Sequence, residues 1–175
     1  NTMSGIAIVG LSCRFPGANS KQTFWSNLLN GVDSVVETPA HKWSSSLFSE
    51  NKDRKGTVNC KYGGYLEDEY LSKFDNDFFS ISGREAKVLD PQQKMLMELT
   101  WEALEDAGAS TDSSVAREWG VFIGIGQADF NVLHMSDLNQ IDTYTQTGLS
   151  HSIAPNRISN FFNLTGPSMA VDTAC

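Results

Sequence analysis

Asp90-Pro91-Gln92-Gln93-Lys94-Met95-Leu96-Met97-Glu98-Leu99-Thr100-Trp101-Glu102-Ala103-Leu104-Glu105-Asp106-Ala107-Gly108 is the longest helical signal in the chain. Asp90 is a good N-cap, because its side-chain oxygen can take one of the first unpaired backbone N–H groups. Pro91 suits the first helical position, and Gln93 is placed to close a capping box. Apolar residues at Met95, Leu96, Met97, Leu99, Trp101, Ala103, Leu104 and Ala107 cover most of the circumference. A narrow wet stripe is left for Lys94, Glu98, Glu102 and Glu105, so the helix is expected to lie deep between other elements. Gly108 ends it. Capping and the wet stripe account for Asp90, Glu98, Glu102, Glu105 and Asp106, which therefore do not form a catalytic carboxylate cluster. Met95, Met97 and Trp101 are core.

Outward toward the C-terminus, Trp119–Gly126 is short, apolar and glycine-bounded, and predicts a buried strand. Its glycines at 120, 124 and 126 do not have the G-x-G-x-x-G spacing of a dinucleotide site. Ser150–Asn163 predicts a helix with Ile158, Phe161 and Phe162 inward. Pro155 is tolerated only in a first turn, so that helix starts near Ser152. Gly166-Pro167 is a turn, and Ser168–Asp172 a strand. Toward the N-terminus, Gly5–Gly10 (Gly-Ile-Ala-Ile-Val-Gly) predicts a strand buried on both faces, and Leu11–Gly17 a loop. Ser20 caps a helix carrying Phe24, Trp25, Leu28 and Leu29, which Gly31 closes. Residues 38–64 have no sustained period and form a surface excursion pinned by Trp43 and Tyr62. Phe74, Phe78 and Phe79 should pack on the main body. The order β-α-α-β-α-β without repeats indicates a layered α/β fold.

The 175 residues suffice for one domain, and a hydrophobic share of 40% with 19% charged residues is ordinary for a globular protein. Thirteen Lys and Arg against 21 Asp and Glu give a net charge of -8. That balance argues against a nucleic-acid binder, which needs a basic face to displace counterions. No apolar run approaches the length that crosses a bilayer. Cys13, Cys60 and Cys175 show neither CxxC nor zinc-ligand spacing, which suggests free thiols in a reducing, cytoplasmic compartment. Asn1-Thr2-Met3 reads as a cloning remnant ahead of a start methionine.

The chemistry concentrates in Pro167–Cys175. A strand that ends in small residues and then a cysteine has the form of a nucleophile elbow. Thr173 and Ala174 allow a tight turn, and a helix N-terminus beyond the cysteine would lower its pKa. On spacing alone a structural role stays open beside this one, since cysteine usually packs as a small hydrophobe.

Ser152-Ile153-Ala154-Pro155-Asn156-Arg157-Ile158-Ser159, Leu164-Thr165-Gly166-Pro167-Ser168 and Val171-Asp172-Thr173-Ala174-Cys175 closely resemble the β-ketoacyl synthase family, specifically the ketosynthase domains of modular polyketide synthases. The blocks Ile6–Ala18, Phe78–Ala86 and Leu89–Gly108 agree in order and spacing. The resemblance implies the N-terminal half of a thiolase-like layered α/β/α/β/α fold, with residues 1–175 as the N-terminal portion of a single ketosynthase domain. It implies that Cys175 is the acyl-accepting nucleophile. The implied cycle is acyl transfer from an acyl carrier protein to Cys175, then decarboxylative condensation with a malonyl-type extender to a β-ketoacyl thioester. No bound cofactor or metal is implied, because the substrates ride on the carrier's phosphopantetheine. The implied partners are acyl carrier protein, acyl and malonyl-type thioesters, the remainder of the domain and a second copy in a homodimer, with no nucleic acid and no membrane. Two departures stand out: Pro155 for a small residue and Gly83 for a proline. The family's two catalytic histidines and its lysine lie downstream of the cysteine. His41, His134 and His151 match none of them and are expected at the surface or as caps, so the 175-residue chain alone is expected to be inactive. Two alternatives share the motifs: a non-elongating module that only binds carrier protein and transfers acyl groups, and a fatty-acid or polyunsaturated-acid synthase condensing domain.

Overall fold

Ser20 caps the first helix as its position ahead of the apolar pattern predicts: its hydroxyl accepts from Thr23 N at 3.2 Å. The computed structural model describes residues 5–51, 53–110 and 118–174. These fall into two units, Cys13–Glu69 and a second that joins the segment before Cys13 to Tyr70 onward.

In the Cys13–Glu69 unit, helix α1 (Lys21–Leu29) ends at Asn30, and Gly31 takes φ 62° as the expected C-terminal glycine. No residue of α1 is buried. Strand β1 (Val35–Glu37) pairs antiparallel with β2 (Tyr62–Gly64), Val35 opposite Gly64. The excursion at 38–64 is therefore closed by a ladder at its base, and a 3-10 turn at Ser45–Leu47 lies within it. Trp43 anchors it by stacking on Phe48 with ring centroids 6.1 Å apart. Tyr62 does not: its ring lies on the exposed side of β2. The anchor is Tyr65, whose hydroxyl meets Thr38 Oγ1 at 2.7 Å while Thr38 Oγ1 also donates to Lys61 O. Helix α2 (Asp68–Ser72) follows.

The second unit contains the core. Helix α3 (Gly83–Val88) is capped by Ser82, and α4 (Pro91–Asp106) by Asp90, whose Oδ1 accepts from Gln92 N at 2.7 Å. Then come β3 (Val121–Gly124), α5 (Asp129–Met135), α6 (Thr145–Leu149), α7 (Ile153–Phe161) and β4 (Ser168–Val171). Strands β3 and β4 run parallel, Val121 beside Ser168 and Gly124 beside Val171, with α7 as the return crossover. Pro155 sits in the first turn of α7, where its missing N–H has no intrahelical role. Leu89, Met97, Val121, Ile158 and Phe162 join Phe79 and Ile81 in one buried cluster. Each such large side chain contributes about 1.5–3 kcal/mol by leaving water. Phe74 stacks on Phe79 at 5.2 Å, and Phe78 stands edge-on to Trp101 at 4.8 Å, so the aromatic stretch packs where it was expected.

Further expectations need correction. Gln93 closes no capping box; it is buried and turned into the body. Helix α4 is half-buried along most of its length, with only Gln93 and Met97 fully buried; Trp101 is exposed and not core, and Lys94 lies half-buried instead of on a wet stripe. Burial accordingly pulls the Lys94 ammonium below its ordinary pKa. Residues 5–10 form no strand among the described residues, and Ile6, Ile8 and Val9 are largely exposed. A strand buried on both faces needs neighbours along its edges, and only the β1–β2 and β3–β4 pairs are present among the described residues. This segment meets α4 instead. Ser12 Oγ donates to Leu99 O at 2.7 Å, Leu11 N donates to Asp106 Oδ2 at 3.0 Å, and Gly10 lies so close that a Cβ would stand 2.2 Å from Ala103 O. No described helix is long and apolar enough to cross a membrane.

Candidate active site

Parallel strands β3 and β4 end at the same edge of their sheet, and the chain leaves each in a constrained turn. Beyond β4, Asp172 Oδ1 accepts from Ala174 N at 2.9 Å, a side-chain-to-backbone bond two residues on that mimics a backbone turn. Ala174 takes φ 52°, the left-handed region that costs an L residue of order 1–2 kcal/mol because its Cβ crowds the following carbonyl oxygen. Beyond β3, Gly126 packs against the Asp172 carboxyl group, and a Cβ there would sit 2.9 Å from its carbon. The two strand exits are thus pressed together. The expected tight turn through Thr173 and Ala174 is present up to Ala174, and Cys175 lies outside the described residues.

The next residue along, Gln127, presents its carbonyl to two side chains: Gln92 Nε2 donates to it at 2.8 Å, and His151 Nε2 lies 3.0 Å away. From Ala128 the chain borders a cleft of about 620 Å³, walled by Asn131 and Met135 of α5, by Ile141 and by Leu149–Ser152. Its lining mixes apolar side chains with amide, hydroxyl and imidazole groups. Beneath the Leu149–Ser152 wall, Gln93 Nε2 donates to Gly148 O at 3.0 Å and Ser150 O at 3.2 Å. Gln93 Oε1 accepts from Arg157 Nε at 3.1 Å, and Arg157 Nη1 donates to Glu85 Oε1 at 2.6 Å. The motif reading missed this network. A signal was available, since Gln93 stands four residues before Met97 and must share its buried face. On the rim, Asp142 accepts from Tyr144 N at 2.8 Å and pairs with Arg84 at 3.0 Å. The Tyr144 N–H foremost, helped by the Arg84 guanidinium, holds its carboxyl below the usual aspartate range.

The other sequence candidates scatter. Cys13 is buried, and Cys60 is exposed with its thiol 3.2 Å from Tyr62 O. His41 pairs at the surface with Asp68 at 2.7 Å. His134 is not at the surface as expected. It is buried against Phe130, and its Nε2 finds no hydrogen-bond partner among the described residues.

The model of the β-ketoacyl synthase N-terminal domain matches residues 3–175. The chain belongs to that family. Probable polyketide synthase 1 of Dictyostelium discoideum is 41% identical over 173 residues, which are 98% of this chain and 5% of that protein. A phenolphthiocerol/phthiocerol polyketide synthase of Mycobacterium tuberculosis is 40% identical over 172 residues, 97% of this chain and 9% of that one. The β-ketoacyl synthase chain therefore spans a small part of these relatives. Among solved structures, an oxazolomycin ketosynthase domain of Streptomyces albus superposes with TM-score 0.83 at 34% identity, covering 95% of this chain and 28% of its own. A ketosynthase from module 6 of the bacillaene synthase of Bacillus subtilis gives 0.74 at 30% identity, covering 97% and 26%. The α/β fold is that of ketosynthase domains with their thiolase-like architecture.

Proposed function

We propose that this chain is the N-terminal portion of a polyketide-type ketosynthase domain and that Cys175 is its acyl-accepting nucleophile. The observation that carries the reading is the turn after β4. Asp172 closes it and Ala174 adopts the left-handed conformation at the edge where both parallel strands exit, the edge of an α/β sheet at which ligands bind. The Cys175 thiolate attacks the thioester carbonyl of an acyl group carried on phosphopantetheine. The carbonyl–sulfur bond to the carrier breaks, and the carrier thiolate leaves and takes a proton. A malonyl-type thioester then loses carbon dioxide, and its carbanion forms the carbon–carbon bond at the acyl carbonyl and releases the Cys175 thiolate. Each tetrahedral intermediate needs donors for its oxyanion, and the nucleophile's own backbone N–H, that of Cys175, is the natural first one.

The partners on this reading are acyl carrier protein, acyl and malonyl-type thioesters, the rest of the domain and a second copy, in the cytoplasm. None of His41, His134 and His151 is assigned to polarising the malonyl carbonyl, which falls to the rest of the domain. In an intact ketosynthase containing this chain, an acyl-phosphopantetheine donor should add one acyl mass to the Cys175 peptide and none to the Cys13 or Cys60 peptides. Cys175→Ala should lower condensation by at least about a thousandfold. An acyl adduct on another cysteine, or condensation surviving Cys175→Ala, would overturn the assignment.

A further inference from the structure

We propose that Gln93 is a positioning residue, oriented by Arg157 and Glu85, that sets the cleft wall met by the incoming acyl group; this rests on the ketosynthase reading above. Helix α6 has only five residues, and its last carbonyls have no intrahelical donors. They are not left to water. Asp90 N donates to Gly148 O at 2.9 Å, and the Gln93 amide donates to Gly148 O and Ser150 O, with Thr147 O at 3.4 Å. These bonds hold the turn from α6 to α7, and that turn supplies Leu149, Ser150, His151 and Ser152 to the cleft.

An amide can face either way, so something must orient it. Arg157 Nε carries only hydrogen to give, which commits Gln93 Oε1 to accepting and its Nε2 to the carbonyls. Glu85 fixes Arg157 in turn through the 2.6 Å contact. Gln92, the preceding residue, holds Gln127 O, which also lies 3.0 Å from His151 Nε2 of the same wall. Two successive side chains of the first turn of α4 therefore hold backbone carbonyls beside this wall, one at the exit of β3 and one at the entry to α7. Gln93 reaches the lining through backbone carbonyls, so it acts by placement.

The test is loading of Cys175 in an intact ketosynthase containing this chain, with a panel of acyl-phosphopantetheine thioesters of increasing length. Gln93→Glu keeps the volume but points a carboxylate at two carbonyls. It should lower kcat/KM for loading by about tenfold, mainly through KM and unequally across the panel. Alkylation of Cys175 by iodoacetamide should stay within about twofold, because the nucleophile itself is untouched. Arg157→Lys, which keeps the pairing with Glu85 but loses the Nε donor, should shift the same ranking less, and it answers the question if Gln93→Glu does not fold. A lower melting temperature with the order and KM of the donors unchanged would make Gln93 merely structural and overturn the proposal. Wild-type protein that never carries an acyl group on Cys175 would instead defeat the ketosynthase reading, and this inference with it.

Discussion

Helices α1 and α4 begin alike and end up in different environments. Each has a side-chain cap and a row of apolar residues, and each is followed by a glycine at φ 62°. Yet α4 buries Met97 and Gln93 to within 2% of full enclosure, while α1 buries nothing and leaves Trp25 61% and Leu29 68% exposed. Caps and periodicity are local and act within one helix. Burial depends on what the rest of the chain brings to the helix, and here α7, β3 and the Phe74–Phe79 stretch bring it to α4. The sharpest way to break the contrast is truncation. Met97→Ala should lower unfolding free energy by about 2–5 kcal/mol, since it leaves a cavity in a packed cluster. Leu28→Ala should change it by no more than about 0.5 kcal/mol. Urea denaturation of the two variants decides the matter, and equal losses would mean that the apolar face of α1 is covered in the folded protein.

The caps offer a finer comparison. Asp90 is 2% exposed and accepts from both Gln92 N and Gln92 Nε2, whereas Ser20 accepts from Thr23 N in the open. Removing a buried acceptor strands its donors, and removing an exposed one lets water replace it. Asp90→Ala should therefore cost about 2 kcal/mol and Ser20→Ala about 0.5–1 kcal/mol in the same denaturation experiment. Similar values for the two would show that burial adds nothing to the cap.

How much could be seen in advance follows the same division. The start of α7 near Ser152, the β4 strand at Ser168–Val171, the caps at Ser20 and Asp90 and the turn through Thr173 and Ala174 were all legible. Each depends on a few neighbouring residues: a proline that must sit in a first turn, a serine ahead of an apolar row, small side chains where the chain bends. Gly5–Gly10 forms no strand although its composition matches Trp119–Gly126, and even there the strand is Val121–Gly124, with Val121 buried and Phe122 exposed. Apolarity says that a strand can be buried, and only its partners decide whether it is. Gln93 fits a capping box by standing three positions after Asp90, whereas its pairing with Arg157, 64 positions away, has no local signature. The family resemblance supplied Cys175 and its chemistry, and spacing alone did not separate that role from a packed thiol. Tyr65 displaced Tyr62 as the anchor of the excursion for a simpler reason, the alternation of β2, which turns residue 62 outward.

The smallest expected effect compares two carboxylates, one in each unit. Asp142 and Asp68 both sit below the ordinary aspartate value of 3.8, for different reasons. For Asp142 the chief cause is the Tyr144 backbone N–H, with Arg84 secondary; for Asp68 it is the hydrogen bond from the Lys42 ammonium, with His41 adding to it. The sign is common to both. A carboxyl that binds its proton more weakly folded than unfolded stabilises the fold above the unfolded pKa, and that contribution disappears as the pH falls through the lower, folded value. The loss therefore belongs below pH 3.8, not near neutrality. Salt should separate the pair. A backbone N–H fixed within a turn is a short-range dipole that mobile ions barely screen, whereas the Lys42 ammonium is a full charge, and they screen its pull on the exposed Asp68 carboxylate. Titration of the two side chains by carboxyl NMR at low and at about 0.5 M salt should move Asp68 up toward 3.8 further than Asp142. The reverse order would mean that Arg84, and not the turn at Tyr144, dominates the rim of the cleft.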